Sequence, residues 1–496
     1  MKYSDAHPVL GPVHDGVEFA ANSPLQIHLD RAAKLSLSEQ IRSSIARAIE
    51  SGLLPPGSRL PSWQSLATYL GVARGTVQTA YERLTDAQMI EAFGAKGTLV
   101  TARPGPAVNR AEERPPSAFV RTYQEMRTGP AVFQLGVPAL DDTPGKVFAR
   151  ARSSNLLKTG PFSSVVYPDP LGERRLRQEI AGHLAISRNL HCLPEQVFIT
   201  SGYTAGLGLV LRVLGLEGRK AWMEDPGYLL TRKGLELAGM RPISVPVDDE
   251  GLDVDHGITH AHDAALAVVT PGQQAPLGTT LSLRRRLQLL QWAAASDAWI
   301  VEDDYLGELQ LGGRAAPALA SLDEGKRVIH VGTFSKTISP SLRLGFVVAP
   351  LRLVAAFAEV ATALAPAPSP VVQLTTAQFM REGHYVRRVR RLKRLYSAQR
   401  DALCEQLDRH DAAWTSAGLA LLVPLPDGAL DVEIVREAIT MGMAPSPLSR
   451  WFASLAWTRP GLLLGVATAP ETQVEASCRR LFEIIDRYRE RAPRLT

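Results

Sequence analysis

Apolar residues recur at helical spacing from residue 37 onward. Ile41, Ile45 and Ile49 fall four apart, predicting a helix over 37–50 that closes before Gly52. Pro55-Pro56-Gly57 is a turn. A second helix runs through Trp63, Leu66, Ala67 and Leu70 and stops at Gly71, and a third is expected over 77–86. The short Gly-containing break between them is what a helix-turn-helix needs, because the second helix must leave at a steep angle. Residues 89–92 and 98–101 are expected to pair as a wing around Gly94 and Gly97. Pro104-Gly105-Pro106, the charged run 110–114 and Pro115-Pro116 read as an extended, semi-rigid linker. Beyond Ala131, short β-branched runs at 197–200, 265–270, 298–302 and 328–331 alternate with helical stretches. That alternation predicts an α/β domain built on a mostly parallel sheet covered on both faces. The expected organisation is a mobile extension over 1–24, a winged helix-turn-helix domain over 25–103, a linker over 104–130 and an α/β domain over 131–496.

Composition supports this division without naming a function. At 496 residues, with 45% hydrophobic and 21% charged residues, the chain is globular and too long for one ordinary domain. A net charge of +5 permits a nucleic-acid partner but does not establish one. Cys192, Cys404 and Cys478 lie far apart and match no metal or redox spacing, so no metal is expected. Neither a signal peptide nor a membrane span is expected, and the expected location is the cytoplasm.

Two sets of residues carry chemistry. Arg74, Thr76 and Gln78 open the third helix, where Arg and Gln side chains can reach base edges and the helix terminus favours phosphate. Arg59, Gln64, Gly94 and Lys96 complete the candidate contacts to double-stranded DNA. Isolated turns of this sort are weak evidence alone, and basic residues outnumber acidic ones only nine to six over 24–103. The second set surrounds Lys336, which follows the strand 328–331. A lysine at a strand-to-loop junction can form a Schiff base with an aldehyde cofactor if its surroundings lower its pKa. Asp303, at the end of another strand, can pair with a protonated pyridine nitrogen, and Tyr305 can donate to a phenolate oxygen. Ser201-Gly202-Tyr203-Thr204 links a strand to a helix and suits a phosphate, with Arg343 and Thr333 as charge and hydroxyl partners. In a parallel sheet Asp303 and Lys336 come to the same carboxyl edge, where open α/β folds bind ligands.

The run 53–62, with Leu70-Gly71-Val72-Ala73-Arg74-Gly75-Thr76-Val77, Ala80-Tyr81-Glu82-Arg83-Leu84 and Gly97-Thr98-Leu99-Val100, resembles the GntR-type winged-helix domain. Gln64 stands where relatives usually carry Arg, and Gln78 where some of them do. Residues 167–172, 224–228, 270–278, 302–305 and 332–343 resemble fold-type I pyridoxal-phosphate enzymes, and the order of modules resembles the MocR/GabR regulators. The resemblance implies pyridoxal 5'-phosphate as cofactor, Lys336 as its Schiff-base lysine and Asp303 as the partner of its ring nitrogen. It further implies that Tyr228 stacks on the ring and that Gln274 belongs to the cofactor site. Relatives often carry Gln where this chain has Thr204 and His where it has Gln273. Aminotransferases hold the substrate carboxylate with an Arg near the strand 462–465, which here contains none. Arg450 and Arg459 are the nearby candidates for contact with an effector. The basic run 387–400 reads as a solvated or partner-facing helix, with a supplementary DNA contact as the sharper alternative.

The first functional expectation is a ligand-responsive transcription regulator that senses a small amino compound, or the cofactor itself. The competing readings are a working aminotransferase with an accessory N-terminal module, and a DNA-binding protein with a cofactor-free scaffold. The resemblance also implies a homodimer, with a linker long enough for a domain-swapped arrangement, and an operator with paired half-sites.

Overall fold

The computed structural model describes residues 27–31, 33, 35–94, 97–101, 116–126, 131–139, 143–159, 167–312, 315–324 and 326–491. The extension 1–24, the wing residue Lys96 and most of the linker (104–115 and 127–130) lie outside them. The chain forms two compact units, Met1–Val120 and Arg121–Thr496.

In the first unit, α1 (Leu37–Glu50) begins at Ser36, whose hydroxyl accepts from the Glu39 N–H, and it buries Ile41 and Ile45 completely. Helix α2 (Trp63–Leu70) is capped by Ser62 and ended by Gly71, whose φ of 62° is the left-handed conformation glycine adopts cheaply. Helix α3 (Arg74–Asp86) starts one turn earlier than its apolar pattern indicated, because residues 74–76 form an exposed or half-exposed first turn with nothing apolar to bury. Strands β1 (Arg59–Leu60), β2 (Ile90–Ala92) and β3 (Thr98–Val100) form an antiparallel sheet in the order β1-β3-β2. The wing therefore has a third strand that the pattern did not reveal. Ile41, Leu66, Val77, Leu84 and Ile90 meet in one core.

The second unit is built on an eight-stranded sheet. Its strands are β4 (Val197–Thr200), β5 (Lys220–Asp225), β6 (Arg241–Asp248), β7 (Gly251–Leu252), β8 (Leu266–Val269), β9 (Trp299–Asp304), β10 (Val328–Thr333) and β11 (Gly345–Val348). They lie in the order β4-β11-β10-β9-β8-β5-β6-β7. The central pairs β10–β9, β9–β8, β8–β5 and β5–β6 are parallel, whereas β11 runs antiparallel to both of its neighbours. Val301 and Val331 face one apolar layer with Leu207, Val210 and Phe357, while Ile300 and Val328 face another with Trp222, Leu289 and Trp292. The sheet is mostly parallel and buried on both faces. A smaller antiparallel sheet, with β12 (Thr415–Ser416), β13 (Ala420–Pro424), β14 (Ser446–Pro447) and β15 (Gly461–Gly465), follows it.

One stretch departs from the linker expected over 104–130. Ala118–Met126 is a helix, α4, and its residues from Arg121 onward belong to the second unit. No Pro or Gly interrupts it, and the Ser117 hydroxyl accepts from the Val120 N–H at its start. No helix among the described residues is long and apolar enough to cross a membrane.

Candidate cofactor cavity and DNA-reading surface

Alternation along β9 separates three consecutive acids. Successive side chains on a strand leave opposite faces, so Asp303 shares the face of Val301 while Glu302 and Asp304 share that of Ile300. On that second face Glu302 accepts from the Leu319 and Ala320 N–H groups and from His330 Nδ1, and Asp304 takes the fully buried Arg188 at 2.8 Å. Burial works against the Glu302 carboxylate, yet His330 and Arg188 together hold its pKa below the usual range. Asp303 has weaker help, from the Tyr203 phenol and the Lys336 charge. Burial, and then the charges of Asp304 and Glu224, push its pKa well above the carboxylate range. Its Oδ1 is buried without a hydrogen-bond partner among the described residues.

Asp303 opens into a cavity of about 1150 Å³ that also receives Lys336, Tyr305, Tyr228, Tyr203, Thr204, Thr333 and Arg343. Burial pushes the Lys336 amine down to about 8, opposed by the negative charge of Asp303. The amine donates to the Gly136 carbonyl. Gly136 has φ +77°, and a Cβ there would stand 3.2 Å from Lys336 Nζ, so glycine lets the backbone approach the amine. Gly202 (φ +90°) caps α5 (Tyr203–Leu214) and faces the Arg343 guanidinium, which donates to Thr204 Oγ1 at 3.4 Å. A cation, a hydroxyl and a helix N-terminus thus converge, the arrangement that receives a phosphate. Ser201 lies in the same turn behind this wall. Thr333 Oγ1 donates to Ser335 Oγ at 3.0 Å, and both residues line the cavity. The Tyr203 phenol bonds Thr231 Oγ1 at 2.7 Å and feels the charge of Asp303. The Tyr228 ring stands 6.1 Å from that of Trp451.

Two expected residues fall elsewhere. Gln274 is buried off the cavity wall, where its amide donates to Glu224, Pro226 and Ala275 and accepts from the Leu277 N–H. It braces the turn over the buried Glu224 carboxyl, itself raised to about 7 by burial. Arg459 is exposed and outside the cavity, because it sits in a surface turn before β15. Arg450 does reach the wall, where it pairs with Glu125 of α4 at 2.8 Å.

The basic run on the helix His384–Arg409 is not uniformly solvated. Arg388 is buried, and donates to the Thr337 carbonyl at 2.6 Å and the Ile338 carbonyl at 3.3 Å, pinning the loop that follows Lys336. Tyr385, one turn earlier, donates to Thr337 Oγ1 at 3.2 Å. Gly136, Ser335, Glu125 and Arg388 were not read as site residues. Only Ser335, inside the motif itself, carried a local signal.

On the first unit, Gln64, Arg74 and Gln78 are exposed and Thr76 is half-buried at the start of α3. Gln78 donates to Glu82 at 3.0 Å. Arg59 lies beside Gly97 at the base of the wing, and Gly94, at φ +55°, turns it.

Residues 37–100 match the model of the bacterial regulatory proteins of the gntR family, and residues 133–448 that of the class I and II aminotransferases. Together they define a DNA-binding transcription regulator with an aminotransferase-like, pyridoxal-phosphate-binding domain. The chain is 35% identical over 445 residues to the probable rhizopine catabolism regulatory protein MocR of Rhizobium meliloti, covering 86% of this chain and 89% of that one. To the pyridoxine biosynthesis transcriptional regulator PdxR of Corynebacterium glutamicum it is 33% identical, over 77% of this chain and 81% of that one. Among solved structures, the α-aminoadipate aminotransferase LysN of Thermus thermophilus, complexed with N-(5'-phosphopyridoxyl)-L-leucine, superposes with a TM-score of 0.67. That likeness has 26% identity and covers 76% of this chain and 96% of that one. The chain belongs to the MocR family of transcription regulators.

Proposed function

We propose that this regulator holds pyridoxal phosphate on Lys336 and answers a small amino compound by changing its hold on an operator. The observation that carries the reading is the orphaned, buried Oδ1 of Asp303 in the same cavity as the Lys336 amine. A buried carboxyl oxygen without a hydrogen-bond partner is unfavourable, and a protonated ring nitrogen is the partner that would complete it. When bound, the cofactor supplies a carbonyl that captures amines and a ring that accepts electron density.

The chain's own residues do the rest. Because burial lowers its pKa to about 8, Lys336 keeps an appreciable neutral fraction near neutral pH, as a nucleophilic amine must. Gly136 orients that amine through its carbonyl. Arg343, Thr204 and the N-terminus of α5 would hold the phosphate, and Tyr228 and Tyr305 would bound the ring. On the DNA, Arg74, Thr76 and Gln78 would enter the major groove, while Arg59, Gln64 and the wing contact its flanks.

A homodimer with paired half-sites is part of the proposal. Sensing is favoured over turnover because β15 (Gly461–Gly465) carries no arginine to clamp a substrate carboxylate. The test is visible absorbance of the purified chain loaded with pyridoxal phosphate. The native chain should show a cofactor band and borohydride should fix the label on Lys336, whereas Lys336→Ala should fold yet lack both. An unchanged band in that variant would overturn the assignment.

A further inference from the structure

The Arg450–Glu125 pair joins two elements held in different ways. Arg450 sits in the short helical turn Leu448–Trp451, fixed on both sides. The Ser449 N–H and hydroxyl both bond the buried Asp431 carboxylate, at 3.0 and 2.7 Å. Trp451 accepts from the Gly227 N–H at 3.0 Å through its carbonyl, and its indole N–H donates to Ser446 Oγ at 3.0 Å. The arginine is thus presented to the cavity on a braced turn. Its partner belongs to α4, a helix of nine residues that directly follows the segment linking the DNA-reading unit to this one in the chain. Thr122, Tyr123, Gln124 and Glu125 all form part of the cavity wall.

Glu125 occupies the guanidinium that the cavity offers to an anion. Its pKa is held below the ordinary value by the hydrogen bond from Arg450, with Arg436 and Arg121 adding positive potential. The ion pair is nonetheless half-exposed, with 27% of the Arg450 side chain and 46% of Glu125 accessible. Water screens such pairs heavily, so they exchange easily for a better-placed partner. A carboxylate on a ligand whose amine would be held at the cofactor carbonyl, beside Lys336, has a high effective concentration at Arg450.

We infer that Glu125 is an internal stand-in for the effector's carboxylate. The effector is an amino acid rather than a simple amine, and its carboxylate competes with Glu125 for Arg450, loosening α4 when it wins. Glu125 is a specificity-determining residue on this account. It raises the concentration at which amino acids bind and couples their binding to the segment leading to the DNA-reading unit. The inference rests on the proposed cofactor reading, since the cofactor carbonyl beside Lys336 is what would hold the amine.

The test uses the full-length, cofactor-loaded chain. Titration calorimetry with glycine, β-alanine, 4-aminobutyrate and 5-aminopentanoate is set against the corresponding alkylamines, and hydrogen exchange follows residues 116–126. Glu125→Gln should bind at least one of these amino acids about three- to fivefold more tightly than the native chain, with alkylamine affinity unchanged. That amino acid should speed exchange over 116–126 in the native chain, and Arg450→Gln should speed it without ligand. Equal amino-acid affinity in Glu125→Gln and the native chain, or no measurable binding to either, overturns the inference. So does unaltered exchange in Arg450→Gln. Failure of the cofactor reading is seen separately, as the absence of the Lys336 absorbance band. A normal band with unmoved exchange removes only the role of Glu125.

Discussion

Glu302, Asp303 and Asp304 show how one residue step on a strand decides chemistry. The outer two are satisfied by His330, Arg188 and backbone N–H groups, while Asp303 turns to the cavity with its Oδ1 unpaired among the described residues. Since burial raises the Asp303 pKa, folding favours its protonated form. Its contribution to stability is present below the ordinary carboxylate pKa of about 4 and is lost as pH rises through the folded value. Asp303→Asn should therefore stabilise the cofactor-free chain by about 1–2 kcal/mol at pH 7.5, with the gain vanishing near pH 4. The same variant should hold pyridoxal phosphate less tightly. Denaturant titrations at the two pH values check this, and equal effects at both would contradict it. Lys336, Asp303 and Arg343 were legible in the sequence because each lies within a short, distinctive run. Gly136 and Glu125 were not, since they reach their partners across 200 and 325 residues. Gln274 misled because a motif position can brace a turn as readily as touch a ligand.

At the scale of elements, periodicity located α1 to its boundaries and four of the eight strands of the large sheet (β4, β8, β9 and β10) to within two residues, since each buries apolar side chains. It could not orient β11. A fully buried strand such as Gly345–Val348 shows no alternation, and the sequence reads alike whether it runs with or against its neighbours. The basic helix His384–Arg409 was also misjudged at one position, because spacing alone does not say which side chain of a charged run turns inward. Arg388 does, and its guanidinium satisfies the two carbonyls after Lys336. Arg388→Ala would leave them unpaired in the interior, at a cost of about 1–3 kcal/mol. The Lys336 loop should loosen with it. The expected outcome is a lower melting temperature together with faster loss of cofactor on dialysis, while Arg387→Ala, on the exposed side, should change neither. Unaltered cofactor retention in Arg388→Ala would show that the loop is held by other contacts.

For the molecule as a whole, DNA reading and cofactor binding reside in separate compact units, and this separation can be tested by mutating each in the intact chain. Arg74, exposed at the first position of α3, should contribute roughly 1–3 kcal/mol to specific binding if it reaches a base edge. Arg74→Ala should then weaken operator binding about tenfold or more in a gel shift, with the cofactor band of the native chain retained. Lys336→Ala should do the reverse, binding the operator at its basal affinity but no longer responding to an amino compound. Effects at distant, independent sites add, so the double variant should show the Arg74→Ala affinity and the Lys336→Ala silence together. A response to ligand can shift a DNA-binding equilibrium only by the difference in the ligand's affinity for the two states. Loss of basal operator binding in Lys336→Ala would therefore mean that the cofactor itself, and not the amino compound, sets the DNA-binding state. The sensed molecule would then be pyridoxal phosphate.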